Sequence, residues 1–293
     1  MDRLDALRSH FSRMIAANAH IPEGRVSAAF SAIPRERFVA TGPWNVLSQT
    51  GYTQSPSSDA AFLYQDVVVA IAEDRQINNG QPSLHAICLY NLDPQPGETA
   101  VHIGTGTGYY TAILAHLIGP TGTVDAYEIE RDLATRAASN LANMHWVTVH
   151  SRSGTIPPLP ACDLIYVNAG ATRPLDIWLD ALRPGGRLLF PLTGADAGRK
   201  AGPGGMLLIT RNRIDERANA AGETEPENHY GARFVSTAAF INCIGARDET
   251  SARQLSAAFR KQNWTRVQSL HRDNRPDDSC WFAGPGWWLS TRA

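Results

Sequence analysis

The segment Val101-His-Ile-Gly-Thr-Gly-Thr-Gly-Tyr-Tyr-Thr111 constrains this chain most, because it reads as a strand entering a glycine-rich turn that opens a helix. Gly104, Gly106 and Gly108 alternate through the turn. Glycine adopts positive φ without penalty and carries no Cβ, so a ligand can lie against bare backbone there. The following Ile113-Leu-Ala-His-Leu-Ile118 has the apolar spacing of a helix docking on a sheet. A second strand, Thr123-Val-Asp-Ala-Tyr127, ends on Glu128, and 128 − 108 places that carboxylate 20 residues past the last glycine. At that distance it can receive both hydroxyls of a ribose. Turn and carboxylate together predict a nucleoside-containing cofactor; the alternatives are a turn without ligand and Glu128 as a solvated helix cap.

The kind of cofactor follows from what the turn lacks. Tyr109 occupies the third glycine position of the dinucleotide fingerprint, and no Lys-Ser/Thr pair closes a phosphate-cradling loop. S-adenosylmethionine suits the pattern better than a dinucleotide: its ribose needs the carboxylate, and it has no pyrophosphate to need the third glycine.

Around this turn, strands and helices alternate: strand near 99–103, helix 109–118, strand 123–127, helix 131–142 and strand 146–150, then strand 163–167, helix 174–182 and strand 186–191. Such alternation predicts an α/β fold with a doubly wound, mostly parallel sheet, whose ligands sit at the carboxyl ends of strands. Upstream, Leu4, Leu7, Phe11 and Ile15 form a helical stripe, residues 41–60 read as a long surface loop suited to a lid, and 83–92 as a helix. Downstream, 194–205 reads as loop and 219–231 as a mobile connection, with strands at 206–210 and 232–243, a helix at 251–264 and edge strands at 267–270 and 280–289. The expected division is 1–98 (N-terminal helices, lid and acceptor-side segment), 99–194 (cofactor-binding Rossmann-like core) and 195–293 (an α+β appendage).

Composition narrows the partners. With 27 Lys+Arg against 28 Asp+Glu, nothing favours nucleic acid or an anionic membrane surface. No run of 18 or more apolar residues occurs, and the charged N-terminal stretch lacks the apolar core of a signal peptide. Cys88, Cys162, Cys243 and Cys280 lie far apart without a C-x-x-C pair, which leads us to expect reduced thiols in a cytoplasmic protein. No metal-ligand spacing stands out. Oligomeric state is not legible.

Several segments resemble the protein-L-isoaspartate O-methyltransferase family of S-adenosylmethionine-dependent enzymes. Ile33-Pro-Arg-Glu-Arg-Phe-Val39 is similar to its N-terminal "VPRxxFV" signature, and Gly104-Thr-Gly-Thr-Gly-Tyr-Tyr-Thr-Ala112 to its G-x-G-S/T-G-Y-x-T-A turn. Asp163-Leu-Ile-Tyr-Val-Asn-Ala169 and Leu182-Arg-Pro-Gly-Gly-Arg-Leu-Leu-Phe-Pro191 follow in the family's order, so the likeness spans about residues 30–195. It implies a Rossmann-like methyltransferase sheet in which Gly104, Thr105, Gly106, Thr107 and Gly108 line the cofactor and Glu128 holds its ribose. Ser153 and Gly154, standing where relatives carry Asp-Gly, would flank the adenine, and Asn168 would complete the pocket. It also implies a carboxylate acceptor on isoaspartyl peptides, which is ionised at neutral pH and needs no general base.

The chain departs from the family on the acceptor side. The family's T-I-S-x-P places a Ser near the methyl acceptor, whereas Ile77-Asn-Asn-Gly-Gln-Pro-Ser-Leu-His85 puts Gly80 there. Asn79, Gln81 and Ser83 crowd around it as candidate acceptor-side residues, with turn and helix-cap roles as the alternative for Asn79 and Ser83. His85 reads as structural. A different peptide or small-molecule acid, or cofactor binding without turnover on isoaspartyl residues, therefore stays open.

Overall fold

The computed structural model describes residues 2–48, 50–195, 201–212, 230–261 and 263–293. The chain divides into two compact units, one of residues 1–98 and 102–154 and the other of 99–101 and 155–293.

The first unit begins with helices α1 (Arg3–Asn18) and α2 (Arg25–Ala32). Phe11 and Ile15 on the α1 stripe are fully buried, and Phe11 meets Phe30 of α2. Next comes a hairpin of β1 (Asn45–Ser48) and β2 (Gly51–Gln54), antiparallel with Asn45 opposite Gln54. This corrects the expectation of an unbroken loop over 41–60. Each strand has two half-buried residues followed by two exposed ones, so neither shows the alternation that marks a strand in sequence. The hairpin is rooted by buried Trp44, which packs with Val39, Leu63 and Val69.

Strands β3 (Ala70–Ala72) and β4 (Ile77–Asn78) pair antiparallel and lead into α3 (Pro82–Leu92). Pro82 starts α3, where its missing N–H costs nothing. Strand β5 (Thr99–Ile103) gives residues to both units. It is followed by α4 (Tyr109–Ile118), β6 (Thr123–Tyr127), α5 (Arg131–Asn140) and β7 (Val147–His150). β6 and β7 run parallel, Tyr127 beside His150. All of α4 except His116 is buried, so this helix is core on every side.

The second unit starts with β8 (Cys162–Val167), α6 (Asp176–Ala181) and β9 (Leu182–Thr193), with β8 and β9 parallel. β10 (Ala201–Arg211) and β11 (Tyr230–Ile241) extend from β9 in antiparallel register. Residues 201–205, expected as loop, are thus strand. Of the loop expected over 194–205, 196–200 lie outside the described residues, as does most of the 219–231 connection. Helix α7 (Glu249–Arg260) precedes β12 (Ser269–His271), β13 (Cys280–Gly284) and β14 (Trp287–Ser290), which continue antiparallel in the order β11, β12, β14, β13. Trp287 and Trp288 are buried in this unit, Trp288 stacking on His271.

The architecture is the expected α/β alternation of a Rossmann-like fold, with a mixed rather than mostly parallel strand set because everything after β9 is antiparallel. Among the described residues no helix is long and apolar enough to cross a membrane. Cys88, Cys162 and Cys243 are buried and Cys280 is half-buried, none of the four in a disulfide.

Candidate active site

Strand β5 ends at Ile103 and the chain turns through Gly104, Gly106 and Gly108 at φ of +80°, +57° and +98°. Only glycine holds this region three times without strain. The N–H groups of Gly104 and Thr105 donate to the Tyr127 carbonyl at 2.9 and 3.2 Å, which ties the turn to the end of β6. A Cβ on Gly106 would lie 3.1 Å from Ile71 Cδ1, and one on Gly108 would lie 3.0 Å from Leu141 Cδ1. The Thr107 hydroxyl donates to the Phe38 carbonyl, inside the segment 33–39 that the sequence singles out. Thr107 O accepts the Asn140 side-chain amide at 2.9 Å. The Thr105 hydroxyl is buried and has no hydrogen-bond partner among the described residues.

Glu128, one residue past β6, is 6% exposed. Its Oε2 accepts the Gly106 N–H at 2.6 Å and its Oε1 the Glu130 N–H at 3.0 Å. Burial raises its pKa, while the backbone N–H groups of Glu130 and Gly106 oppose the rise. With the Ile129 N–H also bonding it, the carboxylate keeps acceptor capacity for a further donor. A bare glycine backbone, a carboxylate with spare acceptor capacity and an orphaned Thr105 hydroxyl fit an adenosyl group.

Ser153 and Gly154 approach the same strand ends. A Cβ on buried Gly154 would sit 2.6 Å from Ile103 Cγ1, the last residue of β5. Ser153 follows Arg152, whose guanidinium lies 4.8 Å from the centroid of the Tyr127 ring. Asn168 follows β8 and belongs to the second unit.

Of the residues expected on the acceptor side, Asn79 is buried and its oxygen is occupied: Oδ1 accepts Arg35 Nη2 at 3.2 Å and the Val69 N–H at 2.9 Å. Its Nδ2 is buried with no partner among the described residues. Gln81 is exposed and donates through Nε2 to Asp66 at 3.2 Å, while the Ser83 N–H donates to the same carboxylate at 2.9 Å. Gly80 stands at φ +69°, and a Cβ there would fall 2.3 Å from His85 Nε2. His85 is buried and stacks on Tyr110 with centroids 3.4 Å apart, in keeping with a structural reading. Burial drives its pKa well below the ordinary value, the neighbouring His102 and Arg35 adding to the effect.

Two features escaped the sequence reading. Arg35 is fully buried and donates to the carbonyls of Leu63, Gln65 and Val67 at 2.6, 3.0 and 2.6 Å besides Asn79. Its place in the segment 33–39 was the available signal. Asn78 joins Tyr52 of the hairpin to Gly80, a relation between distant residues that has no local signature.

The family model described as protein-L-isoaspartate(D-aspartate) O-methyltransferase matches residues 8–200. A protein-L-isoaspartate O-methyltransferase of Methanopyrus kandleri is 30% identical over 190 residues, covering 63% of this chain and 76% of that protein. One of Pelotomaculum thermopropionicum is 29% identical over 225 residues, covering 74% and 81%. Among solved structures, a protein-L-isoaspartate O-methyltransferase superposes with a TM-score of 0.62 at 20% identity, covering 87% of this chain and 69% of that one. The likeness to that structure concerns the fold. The chain belongs to the protein-L-isoaspartate(D-aspartate) O-methyltransferase family.

Proposed function

We propose that this protein transfers the methyl group of S-adenosylmethionine to the free carboxylate of isoaspartyl residues in peptides and proteins. The observation that carries this reading is the turn of Gly104 to Gly108, closed by the buried Glu128 carboxylate on the Gly106 N–H at 2.6 Å. When bound, S-adenosylmethionine would supply a sulfonium methyl, and the acceptor carboxylate, already ionised, would need only alignment with it. No proton moves, so the chain's task is to bind, orient and exclude water.

Gly104, Thr105, Gly106, Thr107 and Gly108 offer the backbone surface, with Thr105 supplying a hydroxyl. Glu128 accepts the ribose hydroxyls, while Ser153 and Gly154 border the adenine end. Asn79, Gln81 and Ser83 wall the acceptor side, Asn79 through its Nδ2. Buried His85 and His102 are held neutral by desolvation and take no proton from the acceptor. Cysteines outside any disulfide suit a reducing compartment and we place the protein in the cytoplasm, which cell fractionation tests.

A second reading, with another peptide or small-molecule acid as acceptor, draws on Gly80, where His85 Nε2 fills the space a serine side chain would need. Labelled S-adenosylmethionine with an isoaspartyl peptide and its aspartyl twin separates the two. Base-labile label on the isoaspartyl peptide alone is expected. Label on neither, with cofactor still bound, rejects the isoaspartyl acceptor and leaves the second reading.

A further inference from the structure

Position 80 has no side chain, yet one amide, that of Asn78, links its backbone to a phenol. Tyr52 lies on β2, opposite Leu47 of β1, and its hydroxyl accepts the Asn78 Nδ2–H at 3.2 Å. The same Asn78 turns its Oδ1 to the Gly80 N–H at 2.9 Å. Asn78 therefore spans from the hairpin to the backbone of Gly80 through both ends of one amide. Tyr52, Asn78 and Gly80 are all half-buried, within reach of solvent and of a ligand.

These residues flank the cofactor turn. Asn78 is opposite Ala70 in the β3–β4 pair, and the next residue, Ile71, is the one a Cβ on Gly106 would meet at 3.1 Å. From the other direction, the Gly80 carbonyl accepts the hydroxyl of Tyr110, in the first turn of α4, at 3.4 Å.

Because the Tyr52 oxygen accepts from Asn78, its own proton points elsewhere, and among the described residues no acceptor takes it. Accepting one hydrogen bond strengthens a hydroxyl as a donor. Burial, with the Glu73 carboxylate adding to it, raises the phenol pKa against the opposing Asn78 contact, so the group stays protonated at neutral pH.

We infer that Tyr52, oriented by Asn78, donates its hydroxyl proton in a hydrogen bond to the carboxylate of the methyl acceptor, in the place a side chain at position 80 does not fill. The inference rests on the proposed isoaspartyl acceptor. The bond holds the carboxylate in place and is made before any methyl transfer, so its contribution is to acceptor binding.

The test is equilibrium binding of a fluorescent isoaspartyl peptide to the protein saturated with S-adenosylhomocysteine, read by anisotropy. Tyr52→Phe is expected to weaken peptide binding by about tenfold, as loss of a hydrogen bond to a charged group does. S-adenosylhomocysteine affinity and the melting temperature should match the wild type. Asn78→Ala should also weaken the peptide, and the double variant should lose less than the sum of the two. An unchanged peptide Kd in Tyr52→Phe overturns this inference alone, as does a matching loss of S-adenosylhomocysteine affinity. A wild-type protein that binds S-adenosylhomocysteine but not the peptide overturns the isoaspartyl reading and this inference with it.

Discussion

Glu128 and Gly106 are joined directly: a carboxylate oxygen takes the glycine N–H at 2.6 Å, 22 residues upstream in the chain. The second oxygen holds the Glu130 N–H at 3.0 Å. The carboxylate is thereby fixed by the backbone on both sides before any ligand arrives, and its rotamer entropy is spent in folding rather than in binding. The turn and the acid thus form one preorganised unit.

Gly80 and His85 exclude a side chain at position 80. The φ of +69° disfavours any residue with a Cβ, and the clash at 2.3 Å is with a buried ring stacked on Tyr110. Gly80→Ser should lose about 2–4 kcal/mol of stability, combining left-handed strain with overpacking. Urea unfolding measures this. Adding His85→Ala should recover part of the loss relative to His85→Ala alone, and an undiminished penalty in that background contradicts the clash.

Asn79 acts as a strut whose oxygen serves Arg35 and Val69. Asn79→Ala should cost about 1–3 kcal/mol by leaving two buried donors short of an acceptor. Asn79→Asp keeps both accepted bonds and places a negative charge on the Arg35 guanidinium, so it should unfold close to wild type. If Nδ2 contacts the acceptor, Asn79→Asp will still bind peptide more weakly. Normal peptide affinity in that variant removes Asn79 from the acceptor wall.

His102 gives the fold a defined acid sensitivity. Burial lowers its pKa to about 3 from 6.5, its Nδ1 lying 2.8 Å from Thr111 Oγ1. The unfolded chain takes up the proton first, so stability present above pH 6.5 falls as pH drops toward 3. Between pH 7 and pH 5 this one group should remove about 2 kcal/mol. Urea titrations at both pH values should show that fall, and His102→Asn should show a smaller one. Equal falls would mean that His102 is not neutral in the native state.

What the sequence made legible was local. The glycine turn, the carboxylate 20 residues on and the helix behind Pro82 each announce themselves within one or two elements. Chemistry there demands particular residue types at fixed spacing. The contacts around residues 77–85 are not local. Arg35 gathers carbonyls about 30 residues away, and Tyr52 meets Asn78 across 26 residues of chain. The β1–β2 hairpin was hidden because its strands are only four residues long and each runs from two half-buried residues to two exposed ones without alternation, while Val46 and the neighbouring Trp44 root it on a cluster with Val39, Leu63 and Val69. Asn79 and Ser83 were visible as polar residues, but whether an amide faces a ligand or a buried arginine is decided only by packing.

Titration calorimetry with S-adenosylhomocysteine on the wild type and on Glu128→Ala tests the central claim most directly. Binding to the wild type is expected, with a loss of about 1–3 kcal/mol in the variant, roughly 5- to 150-fold in Kd. Equal affinity in the two proteins, or no binding to the wild type, would contradict it.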